Sequence, residues 1–201
     1  MKVLLINGSA KEKGCTFTAL SEVARGLNES GVETEILSLG TKPVADCMGC
    51  GKCRETGSCV FGDIVNEIVE KAKTADGFVF GSPVYYAHAS GRLLSVLDRA
   101  FYSGGKKFAF KPGAAVVSAR RGGTTASLEV INKHFSINQM PIVTSNYWNM
   151  VHGNTPDEVR QDKEGMRTMY NLGRNMAWMI KCIQAGPEHP QNEKESTNFI
   201  R

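Results

Sequence analysis

The sequence predicts an α/β fold, in which helices cover both faces of a parallel β-sheet. Strand and helix signals alternate along almost the whole chain of 201 residues. Residues 3–6 form a continuous apolar run, which is typical of a strand buried on both faces. The chain length and a hydrophobic content of 41% are sufficient for one well-buried domain. We therefore expect a single three-layer domain.

The first half of the chain supplies two strands and two helices. A strand at 2–7 ends in a Gly-Ser turn, and helical spacing over 16–29 stops near Gly31. Residues 32–38 are predicted as the second strand. Asp63 is a suitable N-cap for a helix at 63–73.

The second half continues the alternation. Residues 77–82 are predicted as a third buried strand, followed by a helix from about 91 to 101. The remaining elements are a strand at 113–118, a helix at 124–135, a short fifth strand at 141–145 and a long helix at 157–183. That last helix is expected to end before a Gly-Pro pair.

Five strands with short right-handed crossovers suit a flavodoxin-like sheet of order 2-1-3-4-5. Ligands of such sheets bind beyond the carboxyl ends of the strands, here strands 1, 3 and 4. We assign residues 1–185 to this domain, with a Cys-rich loop inserted at 43–61. Residues 186–201 are predicted as a polar, flexible tail.

The loop after the first strand suits a phosphate. It combines backbone N–H groups, a positive charge and hydroxyls at the start of a helix, supplied by Ser9, Lys11, Thr16 and Thr18. Two glycine-rich phosphate motifs are excluded, because no second glycine follows Gly8 until Gly14, and Cys15 rather than Lys comes next. For this segment alone, a strand-turn-helix without a ligand remains the alternative.

The loops after strands 3 and 4 add complementary surfaces. The loop at 82–91 offers an apolar and aromatic surface for a planar ring, made of Pro83, Val84, Tyr85 and Tyr86. The loop at 118–126 places two arginines and two glycines before a helix. Taken singly, the tyrosines of the loop at 82–91 indicate ordinary packing, and the loop at 118–126 indicates a solvated basic turn. Together, the three loops form a phosphate cradle, an aromatic platform and a polar edge, which match FMN.

Four motifs in combination resemble the NAD(P)H-dependent FMN reductase group of the flavodoxin-like superfamily. They are NGSAKEKGCT (7–16), GSPVYYAHASGRLLSVLDR (81–99), VVSARRGG (116–123) and NYWNMVHG (146–153). The resemblance extends from residue 2 to about residue 185 and implies an oxidoreductase with FMN as cofactor and NAD(P)H as co-substrate. Because the chemistry belongs to FMN, no side chain is predicted as a catalytic acid or base.

The resemblance also implies where the cofactor lies. The FMN phosphate is expected on Ser9, Lys11 and Thr16, and the ring against residues 83–86. Cys15 stands where many relatives carry Asn, so one side-chain hydrogen bond to FMN is expected to be missing. The polar edge of the ring is expected near residues 118–123, which include Ser118, Arg120, Gly122 and Gly123. Arg120 and Arg121 are candidates for attracting a nicotinamide phosphate.

Four of the six cysteines follow the spacing C-x2-C-x2-C-x5-C, at Cys47, Cys50, Cys53 and Cys59. Three thiolates at the first two spacings can bind one corner of a [4Fe-4S] cluster. The position of the loop resembles that of iron-sulfur flavoproteins, a branch of this superfamily. Zinc and metal-free reduced thiols remain open alternatives. With a cluster, the alternative function is electron transfer between FMN, the cluster and ferredoxin.

Composition and resemblance together predict the partners. A net charge of +4, scattered along the chain, excludes a nucleic-acid groove. No apolar run is long enough for a membrane span, and we expect a cytoplasmic protein. The predicted acceptor is a quinone, a nitro or azo compound, a flavin or a protein such as ferredoxin. The resemblance implies a homodimer or homotetramer, in which Tyr147 and Trp148 reach a neighbouring subunit's site.

Overall fold

The structure is a computed structural model that describes residues 1–193, 195–197 and 199. Its strands are β1 (Lys2–Asn7), β2 (Glu33–Ser38), β3 (Gly77–Tyr85), β4 (His88–Ala89), β5 (Gly113–Ala119) and β6 (Met150–His152). Its helices are α1 (Cys15–Glu29), α2 (Cys53–Thr56), α3 (Ile64–Lys71), α4 (Gly91–Phe108), α5 (Thr124–Ile137), α6 (Pro156–Gln161) and α7 (Lys163–Ala185).

The sheet has the predicted topology. Strands β2, β1, β3, β5 and β6 are parallel neighbours in that order, and β4 pairs antiparallel with the end of β3. With the hairpin strand β4 set aside, this is the order 2-1-3-4-5. The prediction of an α/β flavodoxin-like fold is confirmed.

Two apolar clusters sandwich the sheet, because successive side chains of a strand point to opposite faces. Leu4 and Ile6 of β1 join the cluster that packs under α3, α4 and α5. Val3 and Leu5 join the cluster under α1 and α7. All four side chains are fully buried, as the continuous apolar run predicted.

The fifth parallel strand lies later in the chain than predicted, and the assignment to 141–145 was wrong. In that segment Ile142 forms only an isolated bridge with Gly113, whereas β6 pairs with the last residues of β5. Between them the chain leaves the sheet at residues 144–148, where Tyr147 and Trp148 are exposed. An edge strand needs few ladder hydrogen bonds, so two short segments can share its position.

The predicted helix at 157–183 is two helices. Asp162 ends α6 and caps α7, since its carboxylate accepts hydrogen bonds from the backbone N–H groups of Gly165 (2.9 Å) and His152 (2.7 Å). The second of these bonds ties the helix junction to β6. The predicted N-cap of α3 is confirmed, because Asp63 accepts a hydrogen bond from the N–H of Val65 at 3.1 Å.

Beyond Ala185 the described residues contain neither helix nor strand. The predicted tail at 186–201 also covers residues 194, 198, 200 and 201, which lie outside the described part of the chain. The division at residue 185 stays a prediction. Among the helices of the described residues, none combines the length and apolar character that crossing a membrane would need.

Candidate functional site

The three predicted loops meet at one edge of the sheet, because β1, β3 and β5 are adjacent parallel strands. Two contacts join them directly. The hydroxyl groups of Thr16 in α1 and Ser118 in β5 are 2.8 Å apart and buried. The backbone N–H of Ala10 donates to the hydroxyl of Tyr85 at 3.3 Å. The loop after β1 is therefore linked to both of its neighbours.

A buried side chain that the sequence analysis missed holds the first loop. Asn7, the last residue of β1, accepts a hydrogen bond from the N–H of Ser9 at 3.1 Å. Its amide donates to the carbonyl of Glu12 at 3.1 Å and to the hydroxyl of Ser38 at 3.2 Å. The Ser9 hydroxyl in turn accepts from the N–H of Lys11 at 3.1 Å. The sequence signal that could have identified Asn7 was a polar residue at the end of an apolar run.

The start of α1 has the chemistry of a phosphate site. Its N-cap, Gly14, provides no side-chain acceptor for the first turn, and that turn contains no acidic residue. The N–H groups and positive dipole end of the helix, with the hydroxyl of Thr16 in its first turn, thus face the loop that carries Ser9 and Lys11. These donors fit the phosphate of FMN.

Cys15, the first residue of α1, is directed elsewhere. Its half-buried thiol lies 3.8 Å from the carbonyl oxygen of Gly153, in the turn between β6 and α6. Burial raises the pKa of the Cys15 thiol. The side chain is therefore a neutral packing group here, while its backbone N–H belongs to the helix start.

The second loop is a tight hairpin between β3 and β4. Ser82 is buried at its base, and its hydroxyl accepts from the N–H of Ser90 at 2.9 Å. At the tip, Tyr86 has φ = 60° and is completely exposed. A left-handed backbone is strained for a bulky residue. The hairpin thus presents an exposed aromatic ring at the edge of the sheet, next to the half-exposed Tyr85.

The third loop packs against this hairpin. Gly123 has φ = 88°, and a Cβ atom there would lie only 2.9 Å from Cγ1 of Val84. Arg120, Arg121 and Gly122 are exposed beside it. All the residues predicted to contact FMN therefore occupy one edge of the sheet, although the thiol of Cys15 is turned towards Gly153.

The four clustered cysteines line a cavity of about 420 Å³. They are not in disulfides, and four free thiols are a donor set that fits an iron-sulfur cluster or zinc. Gly49, Gly51 and Gly57 have positive φ angles and curl the backbone around it. Within the described residues, no group of three or more His, Cys, Asp or Glu side chains is arranged to hold a metal ion as it stands. Binding of a metal ion or cluster therefore requires the four thiols to move closer to one another.

Arg99 of α4 forms the floor of this cavity and was also missed by the sequence analysis. It is only 2% exposed, and its guanidinium donates to both carboxylate oxygens of Asp63 at 2.7 and 2.9 Å. Partial burial opposes ionisation of Asp63, but the hydrogen bonds from Arg99 and Val65 lower its pKa. A charged residue on the core-facing side of a predicted helix was the signal for this pair.

A sequence model described as the NADPH-dependent FMN reductase family matches residues 1–155. An iron-sulfur flavoprotein of Methanocaldococcus jannaschii is 35% identical over 192 residues, which cover 92% of this chain and 100% of the relative. An iron-sulfur flavoprotein of Methanosarcina thermophila is 32% identical, with 92% of this chain and 97% of the relative covered.

Among solved structures, a flavodoxin from the domain Archaea has a TM-score of 0.61 at 14% identity, covering 90% of this chain and 99% of its own. At that identity the likeness supports the fold alone. The family match spans most of the chain and includes the three loops at the sheet edge. The chain therefore belongs to the NADPH-dependent FMN reductase family, alongside the iron-sulfur flavoproteins, and is an FMN-dependent oxidoreductase.

Proposed function

We propose that the protein oxidises NAD(P)H at a bound FMN and passes the electrons to a quinone, a nitro or azo compound, a flavin or a protein acceptor. The observation that carries the proposal is the convergence of a phosphate loop, an aromatic hairpin and a basic loop at one edge of the sheet. When bound, FMN supplies the chemistry of accepting a hydride and releasing electrons.

In this proposal, the loop after β1 binds the phosphate. Ser9, Lys11 and Thr16 surround the N-terminus of α1, and Asn7 holds the loop from below. The hairpin provides one side of the ring site through Pro83, Val84, Tyr85 and Tyr86. Ser118, Arg120, Gly122 and Gly123 lie towards the polar edge of the ring.

The cofactor assignment is tested with a matched pair of ligands. FMN and riboflavin share the ring, but only FMN has the phosphate. We expect FMN to bind more tightly by at least about tenfold, since each charge-assisted hydrogen bond to a phosphate contributes about 1.5–3 kcal/mol. Flavin fluorescence titration of the FMN-free protein measures both affinities. Equal affinities would exclude the phosphate cradle.

The nicotinamide site is tested with NADPH and NADH. Arg120 and Arg121 are exposed cations in the loop after β5 and are suited to the additional phosphate of NADPH. We expect the double substitution to alanine to raise KM for NADPH about tenfold, because each exposed contact contributes about 1 kcal/mol or less. KM for NADH, which lacks that phosphate, serves as the internal control. An unchanged KM for NADPH contradicts the assignment.

A second candidate function rests on the cysteine cavity. Four free thiols line one cavity, and the relatives from Methanocaldococcus jannaschii and Methanosarcina thermophila are iron-sulfur flavoproteins. We propose that Cys47, Cys50, Cys53 and Cys59 hold a [4Fe-4S] cluster, which would supply one-electron transfer to a ferredoxin-like partner. Anaerobic purification followed by iron, sulfide and flavin analysis tests this. About four irons per chain support it, whereas flavin without iron leaves a plain FMN reductase.

Assembly into a homodimer or homotetramer is also part of the proposal. Tyr147 and Trp148 are each more than half exposed, and their rings lie 5.2 Å apart in the segment between the two halves of the fifth strand position. Large exposed aromatic side chains are enriched at protein interfaces. Light scattering of the FMN-bound protein, with and without Trp148→Ala, measures the subunit number. A monomer at all concentrations overturns this part.

A further inference from the structure

Arg99 contacts both ends of the segment from residue 45 to residue 63, which contains the four clustered cysteines and is called the cysteine loop below. Nη1 donates to the carbonyl oxygen of Ala45 at 3.0 Å, just before the first cysteine of the cluster. Nε lies 3.3 Å from Sγ of the last one, Cys59. The guanidinium carbon is 4.6 Å from the ring centroid of Phe61, and Asp63 receives the bidentate pair described above. One side chain thus contacts residues on both sides of the cysteines.

These contacts account for a charged side chain that is buried beneath the cavity. A buried cation is tolerated only when its donors have partners. All three nitrogens of Arg99 have partners here, and each partner lies in the segment from residue 45 to residue 63. The segment has one short helix, α2, and no buried residue within that helix. Its ends are therefore held by polar contacts. Arg99 of α4 reaches both ends, and Asn66 of α3 accepts a hydrogen bond from the Cys59 N–H at 3.0 Å and donates to the Cys59 carbonyl oxygen at 2.9 Å.

We propose that Arg99 is a positioning residue for the cysteine loop, and that its Nε–H donation to Cys59 raises the reduction potential of the group that the thiolates hold. The second part rests on the proposed [4Fe-4S] function. One-electron reduction adds a negative charge and no proton to such a group. A hydrogen bond to its sulfur and a nearby buried cation stabilise that added charge.

Other cations near the cavity are poorly placed for this role. Lys52 is exposed and pairs with Glu55 at 3.7 Å, and solvent screens it. Arg54 lines the cavity but is also exposed. Among the cations of the described residues, Arg99 is the one that combines burial with a contact to a cysteine sulfur. Asp63 lies against the same guanidinium, so its negative charge opposes the effect of Arg99.

The experiment uses FMN-bound protein that is purified and reconstituted with iron and sulfide under anaerobic conditions. A redox titration followed by electron paramagnetic resonance gives the cluster potential, and the flavin absorbance gives the flavin potential in the same sample. We expect Arg99→Gln to lower the cluster potential and Asp63→Asn to raise it. The flavin potential is expected to stay unchanged in both. Asn is a good N-cap, so Asp63→Asn preserves the start of α3.

Arg92→Gln is the matched control. Arg92 lies on the same helix, but its guanidinium donates to the carbonyl oxygen of Thr41 at 3.3 Å rather than to a cysteine. It is expected to leave the cluster potential unchanged. If Arg99→Gln and Asp63→Asn lower the iron content but shift no potential, Arg99 has a structural role alone and the redox part is overturned.

Hydrogen exchange in the metal-free, FMN-bound protein tests the positioning part without a cluster. We expect amides between residues 46 and 62 to exchange roughly tenfold faster in Arg99→Gln, as the loss of hydrogen bonds to a charged group predicts. Amides of α7 should be unaffected. Unchanged exchange in the loop overturns the positioning role.

Failure of the proposed [4Fe-4S] function can be distinguished from failure of the positioning role of Arg99. A wild-type protein that takes up no iron during reconstitution overturns the [4Fe-4S] function and the redox role together, while the exchange measurement still decides the positioning role. If Arg99→Gln does not fold, Arg99→Lys replaces it. That variant keeps the charge but loses the planar set of donors, so it is also expected to release the loop and lower the potential.

Discussion

At the scale of single residues, the site depends on polar side chains that hold loops. Asn7 is fully buried, and its side chain is hydrogen-bonded to three backbone groups and one hydroxyl. Arg99 is buried in the same way beneath the cysteine loop. A buried polar group costs free energy unless it is hydrogen-bonded, so each of these residues ties the stability of the fold to the conformation of a functional loop.

Replacing Asn7 with alanine is expected to lower the free energy of unfolding by about 2 kcal/mol, because buried partners lose their hydrogen bonds. The same change should weaken FMN binding, since the Ser9 N–H is no longer held. Chemical denaturation and flavin titration measure the two effects. Asn175→Ala is the control. Its amide also donates to a carbonyl, that of Thr144 at 2.8 Å, but the side chain is exposed. The control substitution should therefore change the free energy of unfolding by less than about 0.5 kcal/mol. Similar losses in both variants would contradict the special role of Asn7.

Tyr86 combines backbone strain with complete exposure, so its ring does not stabilise the FMN-free fold. Tyr86→Asn is expected to raise the free energy of unfolding by about 0.5–1 kcal/mol, because Asn tolerates the left-handed region. It should also weaken FMN binding. Chemical denaturation and flavin titration measure the two effects. Tyr86→Phe keeps the ring and the strain, so it should match the wild type in the free energy of unfolding and in FMN affinity. A Tyr86→Asn variant that binds FMN normally would mean that the ring does not contact the cofactor.

At the scale of secondary structure elements, close contact between α1 and α7 determines how the C-terminal half of α1 packs. The two helices approach backbone to backbone at Gly26 and Gly173. A Cβ atom added to Gly173 would overlap the carbonyl oxygen of Val23, and one added to Gly26 would overlap that of Tyr170. A backbone atom cannot yield as a flexible side chain can. The glycines therefore determine how closely α7 packs against α1.

Gly173→Ala is expected to lower the free energy of unfolding by about 3 kcal/mol, because the helices must separate. Thermal and denaturant unfolding measure this loss. Gly91→Ala is the control in α4, where a Cβ atom meets nothing within 4 Å. That variant should be neutral or more stable by up to about 1 kcal/mol. Equal effects of the two substitutions would show that the helix contact has room to adjust.

At the scale of the whole molecule, ion pairs connect two neighbouring strands and join the sheet to a helix. Glu35 of β2 lies 2.6 Å from the ammonium of Lys2 in β1 and 2.7 Å from that of Lys71 in α3. Hydrogen bonds from these two lysines lower the pKa of the Glu35 carboxyl. The ionised form is therefore favoured by folding. Its contribution to stability is present above the ordinary glutamate pKa of about 4.3 and is lost as the pH falls through the lower pKa of the folded state.

Glu35→Gln is expected to lower the free energy of unfolding by about 0.5 kcal/mol at pH 7, a small value because solvent screens the pairs. The difference from the wild type should shrink as the pH falls below about 4. Denaturation at several pH values measures it. Glu129→Gln, in an exposed pair with Lys133, should have a smaller effect. A difference that persists unchanged at pH 2 would mean that charge is not the cause.

The sequence by itself determined the α/β class, the order of the parallel strands and the three loops that meet at the sheet edge. Apolar runs identify strands buried on both faces, and the handedness of crossovers then restricts the topology. The same local signals misplaced the fifth strand, since an edge position depends on a few ladder bonds. They also missed the break at Asp162, which depends on the contact with His152.

Only the tertiary structure decided which polar residues hold the candidate sites. Arg99 is 40 residues from Cys59 and 54 residues from Ala45 along the chain, and Asn7 is 31 residues from Ser38. Local propensity contains no information about such pairs, because their hydrogen bonds form only when separate elements pack together. The cysteine spacing likewise predicted a donor set, whereas the cavity around it and the guanidinium below it arise from the packing of α4 against the inserted loop.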